Sequence, residues 1–370
     1  MAKNIVICCD GTGNEFGDHN SNVVKLYNTL TVDGERQIGY YHPGVGTMGA
    51  PTAHNKMSKA WSVVMGLAFG AGLLANVGDA YRYLMNSYDV GDRVFLFGFS
   101  RGAYTTRALA GVLHMFGLLC PGNDGLIPYI LRLYAKRTRS AAGMTHTFQV
   151  AEDFKATFCR HCPVHFAGVW DTVSSIGWIW NPIKLTYTAQ NPDMRNGRHA
   201  VSIDERRCYF RNNLWGPQLP GQSVKQVWFA GVHSDVGGSY AEMESGLSKI
   251  SLEWMLHEGA ALGLLVDGQR AERVLGKMPP PPPVPPDPTA RAHNSLNWKW
   301  WIMEFLPHSY YDPVMKKPRW RIPLGARRLI PEGSVLHETV FEKCRTDQSY
   351  RPSNLPQQSA VEPRSACTLL

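Results

Sequence analysis

Apolar residues gather along this chain in short unbroken runs rather than in strict alternation with polar ones. Ile5-Val6-Ile7-Cys8-Cys9 and Val94-Phe95-Leu96-Phe97 contain no polar position at all, which is the pattern of strands covered on both faces. Comparable runs predict strands near 4–9, 36–42, 93–98, 163–170 and 225–232, several of them followed by helix-compatible stretches. Strands alternating with helices predict an α/β fold with a mostly parallel central sheet flanked by helices.

The longest apolar stretch, Trp61 to Val77, has the look of a membrane span. Its glycines Gly66, Gly70 and Gly72, and a length short of the roughly 20 residues a span needs, favour a buried loop entering a helix near Asp79. Pro279 to Pro283, with Pro285, Pro286 and Pro288 close behind, offer no amide donors, so an extended surface linker is expected, with partner docking as the alternative. The resulting division is a catalytic domain over 1–275, a proline-rich insert over 276–292, a C-terminal segment over 293–356 that packs on the main domain, and a flexible tail over 357–370.

Composition narrows the function classes. A hydrophobic fraction of 44% against 18% charged residues excludes wholesale disorder. The net charge of +8 favours anionic partners such as phospholipid head groups. Its basic clusters, Arg206-Arg207 and Arg327-Arg328, are too short for the sustained stripe of a nucleic-acid binder, so nucleic acid is not expected. The eight cysteines, several in apolar runs, read as buried hydrophobes of a reducing compartment. The N-terminal apolar run is too short for a signal peptide, which implies cytoplasmic synthesis. Cys159 and Cys162, with His161 and His165, resemble half of a zinc site, but no second pair follows at matching spacing. Neither metal nor cofactor is expected.

The sharpest chemical signal is Gly98-Phe99-Ser100-Arg101-Gly102, an apolar strand running through G-x-S-x-G into a helical stretch. A serine at so tight a turn takes a strained backbone, and side chains at either glycine would collide with the neighbouring strand and helix. Ser100 is therefore the candidate nucleophile; the alternative is a tight turn with a capping serine. A serine hydroxyl needs a base and a group to orient that base, in the chain order serine, acid, histidine. Asp171 follows the apolar strand ending at Trp170, and His233 follows the one ending near Val232. Loops beyond the carboxyl ends of parallel strands are where α/β sheets assemble their sites. Asp171 is preferred as the acid over Asp235, which lies only two residues past the base and would have to fold back; Asp235 is read as a brace or cap for the glycine loop behind it.

Gly11, Thr12 and Gly13, after the first strand, suit one side of an oxyanion hole, and amides beside Ser100, Arg101 included, suit the other. The same run lacks the third glycine of a dinucleotide fingerprint, since Phe16 occupies that offset. Asp10 would hold a metal or cap the turn. Trp178 and Trp180, and the cluster Trp298, Trp300 and Trp301, would line an acyl pocket, meet a membrane interface or pack in the core.

These motifs resemble those of a known family, the α/β-hydrolase-like domain of unknown function 2235, whose best-described members are similar to type VI secretion phospholipase effectors. The resemblance rests on Cys9 to Asn14, Tyr41 to Thr47, Gly98 to Ala103, Val169 to Val173, His199 to Arg207 and Gly231 to Gly238. It covers residues 4 to 260 well and the remainder loosely. It implies an α/β-hydrolase-like fold with extra segments over the site, Ser100 as nucleophile, Asp171 as acid and His233 as base. It further implies a lipid ester substrate, an anionic membrane surface, a secretion-apparatus or immunity partner, and export without a signal peptide. The function expected is thus a serine esterase acting on phospholipids or other lipids. The alternatives are a non-catalytic lipid- or partner-binding module on the same scaffold and a peptidase or thioesterase.

Overall fold

In the computed structural model the apolar runs become strands buried on both faces. The structure describes residues 2–11, 17–44, 67–136, 141–173, 177–178, 181–182, 185–278, 284–312 and 317–364. The main sheet is built from β1 (Asn4–Cys9), β2 (Gln37–His42), β3 (Arg93–Phe99), β4 (Val164–Trp170), β5 (Met194–Ser202), β6 (Ser223–Phe229), β7 (Val335–His337) and β8 (Ala360–Glu362). Its order is β8-β7-β6-β5-β4-β3-β1-β2, and every neighbouring pair is parallel. An all-parallel sheet needs cover on both sides, and alternate residues of one strand supply the two cores. Ile5, Ile7 and Cys9 face α2 (Leu67–Ser87), α3 (Arg101–Phe116), α4 (Ile127–Ala135) and α5 (Ala141–Phe158). Val6 and Cys8 face α1 (Asn22–Thr29), α7 (Gly246–Ala261) and α8 (Gly268–Val274). The fold is the expected α/β-hydrolase-like layering, a parallel central sheet flanked by helices.

The five expected strands are β1, β2, β3, β4 and β6. The strand β5, inserted between β4 and β6, is not foreseen because its sequence carries Arg195, Asn196, Arg198 and His199. These polar groups find internal partners: Arg198 pairs with Glu258, and Asn196 Nδ2 donates to the His165 carbonyl at 2.9 Å. The segment from 293 onward does not remain outside the sheet. Its β7 pairs with β6, and residues 360–362, placed in a flexible tail by the sequence reading, pair with β7 as β8. The correction has a simple cause: the free edge of β7 offers backbone hydrogen-bonding groups that Ala360–Glu362 satisfy. A third core, with Val201, Trp228, Ile330, Leu336 and Val340, seals this end, and α10 (Glu338–Thr346) supplies part of it.

The apolar stretch before Val77 lies outside the described residues up to 66 and is helical as α2 from Leu67. Among the described residues no helix is long and apolar enough to cross a membrane. Of the proline run, 279–283 lie outside the described residues. The chain behind it is tied down, with Lys343 Nζ donating to the Ala290 carbonyl at 2.7 Å and Asp287 N donating to the Gly246 carbonyl at 3.1 Å.

The strand order changes direction at β1 and β3. Such a switch point opens a crevice at the carboxyl ends of the strands, and the candidate residues lie on these ends.

Candidate active site

Ser100 stands between β3 and α3 with φ of 59° and ψ of −120°. Five non-glycine residues have positive φ among the described residues, and two of them are Ser100 and Asp171, the latter at 38°. Each such conformation costs roughly 1–3 kcal/mol, so both of these candidate site residues carry backbone strain. The flanking glycines have steric reasons to be glycine. A Cβ on Gly98 would sit 2.5 Å from Thr106 Oγ1 and 2.6 Å from the Gly102 carbonyl oxygen; one on Gly102 would sit 2.2 Å from the Cys9 carbonyl oxygen. The helix α3 can thus start close against β1, its first turn beside the serine and without a side-chain cap.

Asp171, at the end of β4, is fully buried and sits next to β3 in the sheet. Its Oδ2 meets His233 Nδ1 at 2.5 Å. Burial by itself raises its pKa, but the charge of Arg328 and the His233 hydrogen bond overcome that and hold the carboxyl well below the usual carboxylate range. An ionised carboxylate can only accept, so Nδ1 of His233 carries the proton and Nε2 is left as the basic nitrogen. His233 opens the short helix α6 (His233–Gly237). The Phe99 ring lies against its imidazole at 4.6 Å between centroids, and Phe210 meets it edge-on at 4.8 Å. Burial, helped by the nearby Arg207 charge, lowers the His233 pKa against the pull of Asp171, which favours a neutral imidazole. Among the described residues Ser100 Oγ makes no side-chain hydrogen bond, so the link from hydroxyl to imidazole is open in this structure.

Around this pair stand residues that sequence reasoning did not single out. Arg328 grips Asp171 with both ends of its guanidinium, Nη1 to Oδ1 at 2.6 Å and Nη2 to Oδ2 at 3.1 Å. Glu205, buried at 0% exposure, accepts from His233 N at 3.3 Å and from both arms of Arg207 at 2.8 and 2.9 Å. Burial opposes its charge, yet the Arg207 fork brings its pKa to about 2. His199 on β5 accepts from Thr172 N at 3.1 Å through Nε2, so its proton is on Nδ1, toward Gln226. Burial pushes its pKa down to about 3. The His199 to Arg207 block was visible in sequence, whereas Arg328 was visible only as half of a basic doublet.

Other expectations meet different outcomes. The amide of Gly11, expected to face an oxyanion, donates instead to Asp10 Oδ1 at 2.6 Å. Thr12 and Gly13 lie outside the described residues. Asp10 also accepts from Ser21 Oγ at 2.6 Å and Tyr41 Oη at 2.8 Å, which ties the end of β1 to α1 and β2. Arg101 begins α3, with its amide in the first turn next to Ser100. Asp235 bonds Val232 N at 3.0 Å and His293 Nδ1 at 2.6 Å. It braces the start of α6 and leaves His233 Nδ1 to Asp171. The zinc-like cluster is dispersed: Cys159 pairs with Leu119 in a short ladder, Cys162 is buried with its thiol pushed up to about 12, and His165 Nε2 bonds the Leu262 carbonyl at 2.9 Å. Among the described residues no group of three or more metal-ligating side chains forms.

The family model for the type VI secretion phospholipase effector Tle1-like catalytic domain matches residues 3–258, which include Ser100, Asp171 and His233. An uncharacterised protein of Saccharomyces cerevisiae, YEL023C, is 34% identical over 225 residues, covering 58% of this chain and 33% of its own length. An uncharacterised Pseudomonas aeruginosa protein of known structure is 20% identical with a TM-score of 0.40, over 72% of this chain and 46% of that one. The Tle1 effector bound to the VgrG spike of the type 6 secretion system is 18% identical with a TM-score of 0.39, over 66% and 52%. The chain spans about a third of the yeast relative and about half of each structural neighbour. With more than half of its length matched, the chain belongs to the family of Tle1-like phospholipase effector catalytic domains.

Proposed function

We propose that this protein hydrolyses carboxylic ester bonds of phospholipids or related lipids with Ser100 as nucleophile, His233 as base and Asp171 as the group that orients the base. One observation carries the reading: the 2.5 Å bond from His233 Nδ1 to Asp171 Oδ2, beside a serine held at φ 59° on the adjoining strand. His233 Nε2 takes the Ser100 proton as Oγ bonds to the ester carbonyl carbon, and the carbonyl oxygen becomes an oxyanion within reach of the Arg101 amide. Collapse breaks the ester C–O bond, and the imidazolium returns its proton to the departing alcohol. Water then enters by the same route, giving up a proton to Nε2 while its oxygen bonds to the acyl carbon, and releases the fatty acid.

The partner in this reading is an anionic membrane surface. Trp298, Ile302 and Phe305, spaced i, i+4, i+7 on and just past α9 (Trp298–Glu304), are 72%, 60% and 61% exposed, while Glu304 is buried. A helix with its apolar side outward beside Lys299 suits the boundary of a bilayer carrying negative head groups. Its other side packs toward the site, since Trp300 meets Phe210 edge-on at 5.6 Å. Delivery by a type VI secretion apparatus belongs to the same proposal and draws on the family alone.

A fluorophosphonate probe tests the chemistry. The folded protein is expected to be labelled and to release fatty acid from phosphatidylglycerol vesicles, and Ser100→Ala to do neither. Labelling that persists in Ser100→Ala, or vesicle binding without any fatty-acid release, overturns the reading, the latter in favour of a binding module.

A further inference from the structure

Arg328 lies 70 residues beyond the end of the matched family domain, which closes at residue 258, yet its side chain reaches the centre of the site. It is 9% exposed. Besides its two bonds to Asp171, its Nη1 donates to Ser202 Oγ at 2.7 Å, its Nε donates to the Phe210 carbonyl at 3.1 Å, and its Nη2 donates to the same carbonyl. Its own backbone carbonyl accepts from Asn354 Nδ2 at 3.0 Å, and the same Nδ2 bonds the Ile203 carbonyl at 3.0 Å. One guanidinium thus ties together the end of β4, the end of β5 and the loop whose Phe210 ring covers His233. The planar fork matches both carboxylate oxygens, a fit an ammonium cannot reproduce.

We propose that Arg328 is a positioning residue for the Asp171–His233 pair: it fixes the carboxylate plane and cancels part of its charge, which keeps the imidazole an unprotonated base. The proposal rests on the serine-hydrolase reading for its catalytic meaning, but the electrostatics are its own. A free buried carboxylate at 2.5 Å would draw a proton onto His233 strongly; one already paired with a cation draws it less. The other charges facing this pair are Glu205 and Arg207, which act on His233 in opposite directions, and His199, which burial keeps neutral beside Asp171. Glu205 and Arg207 form an ion pair of their own. Arg328 is therefore the charge that tips the balance at Asp171.

The experiment is a titration of the His233 imidazole by NMR in the full chain, assigned by the signal lost in His233→Gln, together with the pH profile of kcat/KM on a soluble ester. In Arg328→Met the pair is expected to bind its proton at higher pH by about one unit, and the acid limb of kcat/KM to move up with it. Arg328→Lys, which keeps the charge and loses the fork, is expected to hold the titration near wild type while kcat falls. Arg328→Gln stands in should the methionine variant not fold. A folded Met or Gln variant whose imidazole titrates as in wild type overturns the proposal, as does a lysine variant that shifts as far as methionine. Because the titration needs no turnover, failure of the hydrolase reading shows separately, as an unlabelled Ser100 in wild type.

Discussion

Gly102 lies directly beneath the carbonyl of Cys9, so close that a single methyl group would come within 2.2 Å of that oxygen. The obstacle is backbone at the end of strand β1, held between β3 and β2, and cannot swing aside. Gly102→Ala is expected to destabilise the fold by about 1–3 kcal/mol and to displace the serine turn. Thermal melting and fluorophosphonate labelling check it together; a variant that melts and labels like wild type would show that β1 and α3 can separate at no cost.

Asp171→Asn tests orientation rather than charge alone. The amide nitrogen or oxygen can face Nδ1, so the tautomer with the proton on Nε2 becomes available and the base is lost to the serine. Activity is expected to fall roughly 10⁴-fold in kcat, with the Ser100 turn intact. Steady-state kinetics on a soluble ester, with a crystal structure of the variant, decide it.

The pH dependence has a definite sign. Burial depresses the His233 pKa below its ordinary 6.5, and the base works only when neutral. The acid limb of kcat/KM is therefore expected below pH 6.5, with activity lost as pH falls through the folded value. A limb at or above neutrality would contradict the burial of this imidazole.

Stability should fall on the same side. His199 and His337 are both pushed down to about 3 by burial, so the unfolded chain binds protons near 6.5 that the folded one refuses. Each costs about 1.4 kcal/mol per pH unit between those limits. Asp171, held low in the fold, adds stability above the unfolded carboxyl value near 4, and this is lost only in stronger acid. Urea melts at pH 7 and 5 are expected to show the loss, and His199→Gln to reduce it.

For the outward face of α9, replacing Trp298, Ile302 and Phe305 together with serine is expected to weaken binding to phosphatidylglycerol vesicles by at least tenfold, while turnover of a short soluble ester is unchanged. Vesicle sedimentation and a parallel soluble assay separate the two. Equal loss in both assays would place these residues in the catalytic fold instead.

Much of this was legible in the chain because unbroken apolar runs and a G-x-S-x-G turn have few structural solutions. The strands β1, β3, β4 and β6, and the positions of Ser100, Asp171 and His233 at or just past strand ends, follow from them. What could not be read is what depends on pairing across long separations. The polar residues of β5 are tolerated in a buried strand only because Glu258, His165 and Thr172 meet them. Glu205 sits in the His199 to Arg207 segment but becomes meaningful only when Arg207 and Ser295 close around it. Arg328 is separated from Asp171 by 157 positions, and no local pattern announces that contact. The bond from the Gly11 amide to Asp10, a partner one residue away, is likewise absent from the glycine pattern alone.

The parallel sheet also has a bearing on how the molecule comes into being. β1 lies between strands that begin at residues 37 and 93, and Asn4 reaches the carbonyl of Gly263, 259 positions away. Contacts of such sequence separation make for slow acquisition of the native state, with unsatisfied strand edges exposed to neighbouring molecules while it lasts. Recombinant production is therefore expected to yield more native protein at low temperature and with chaperones present than under rapid expression.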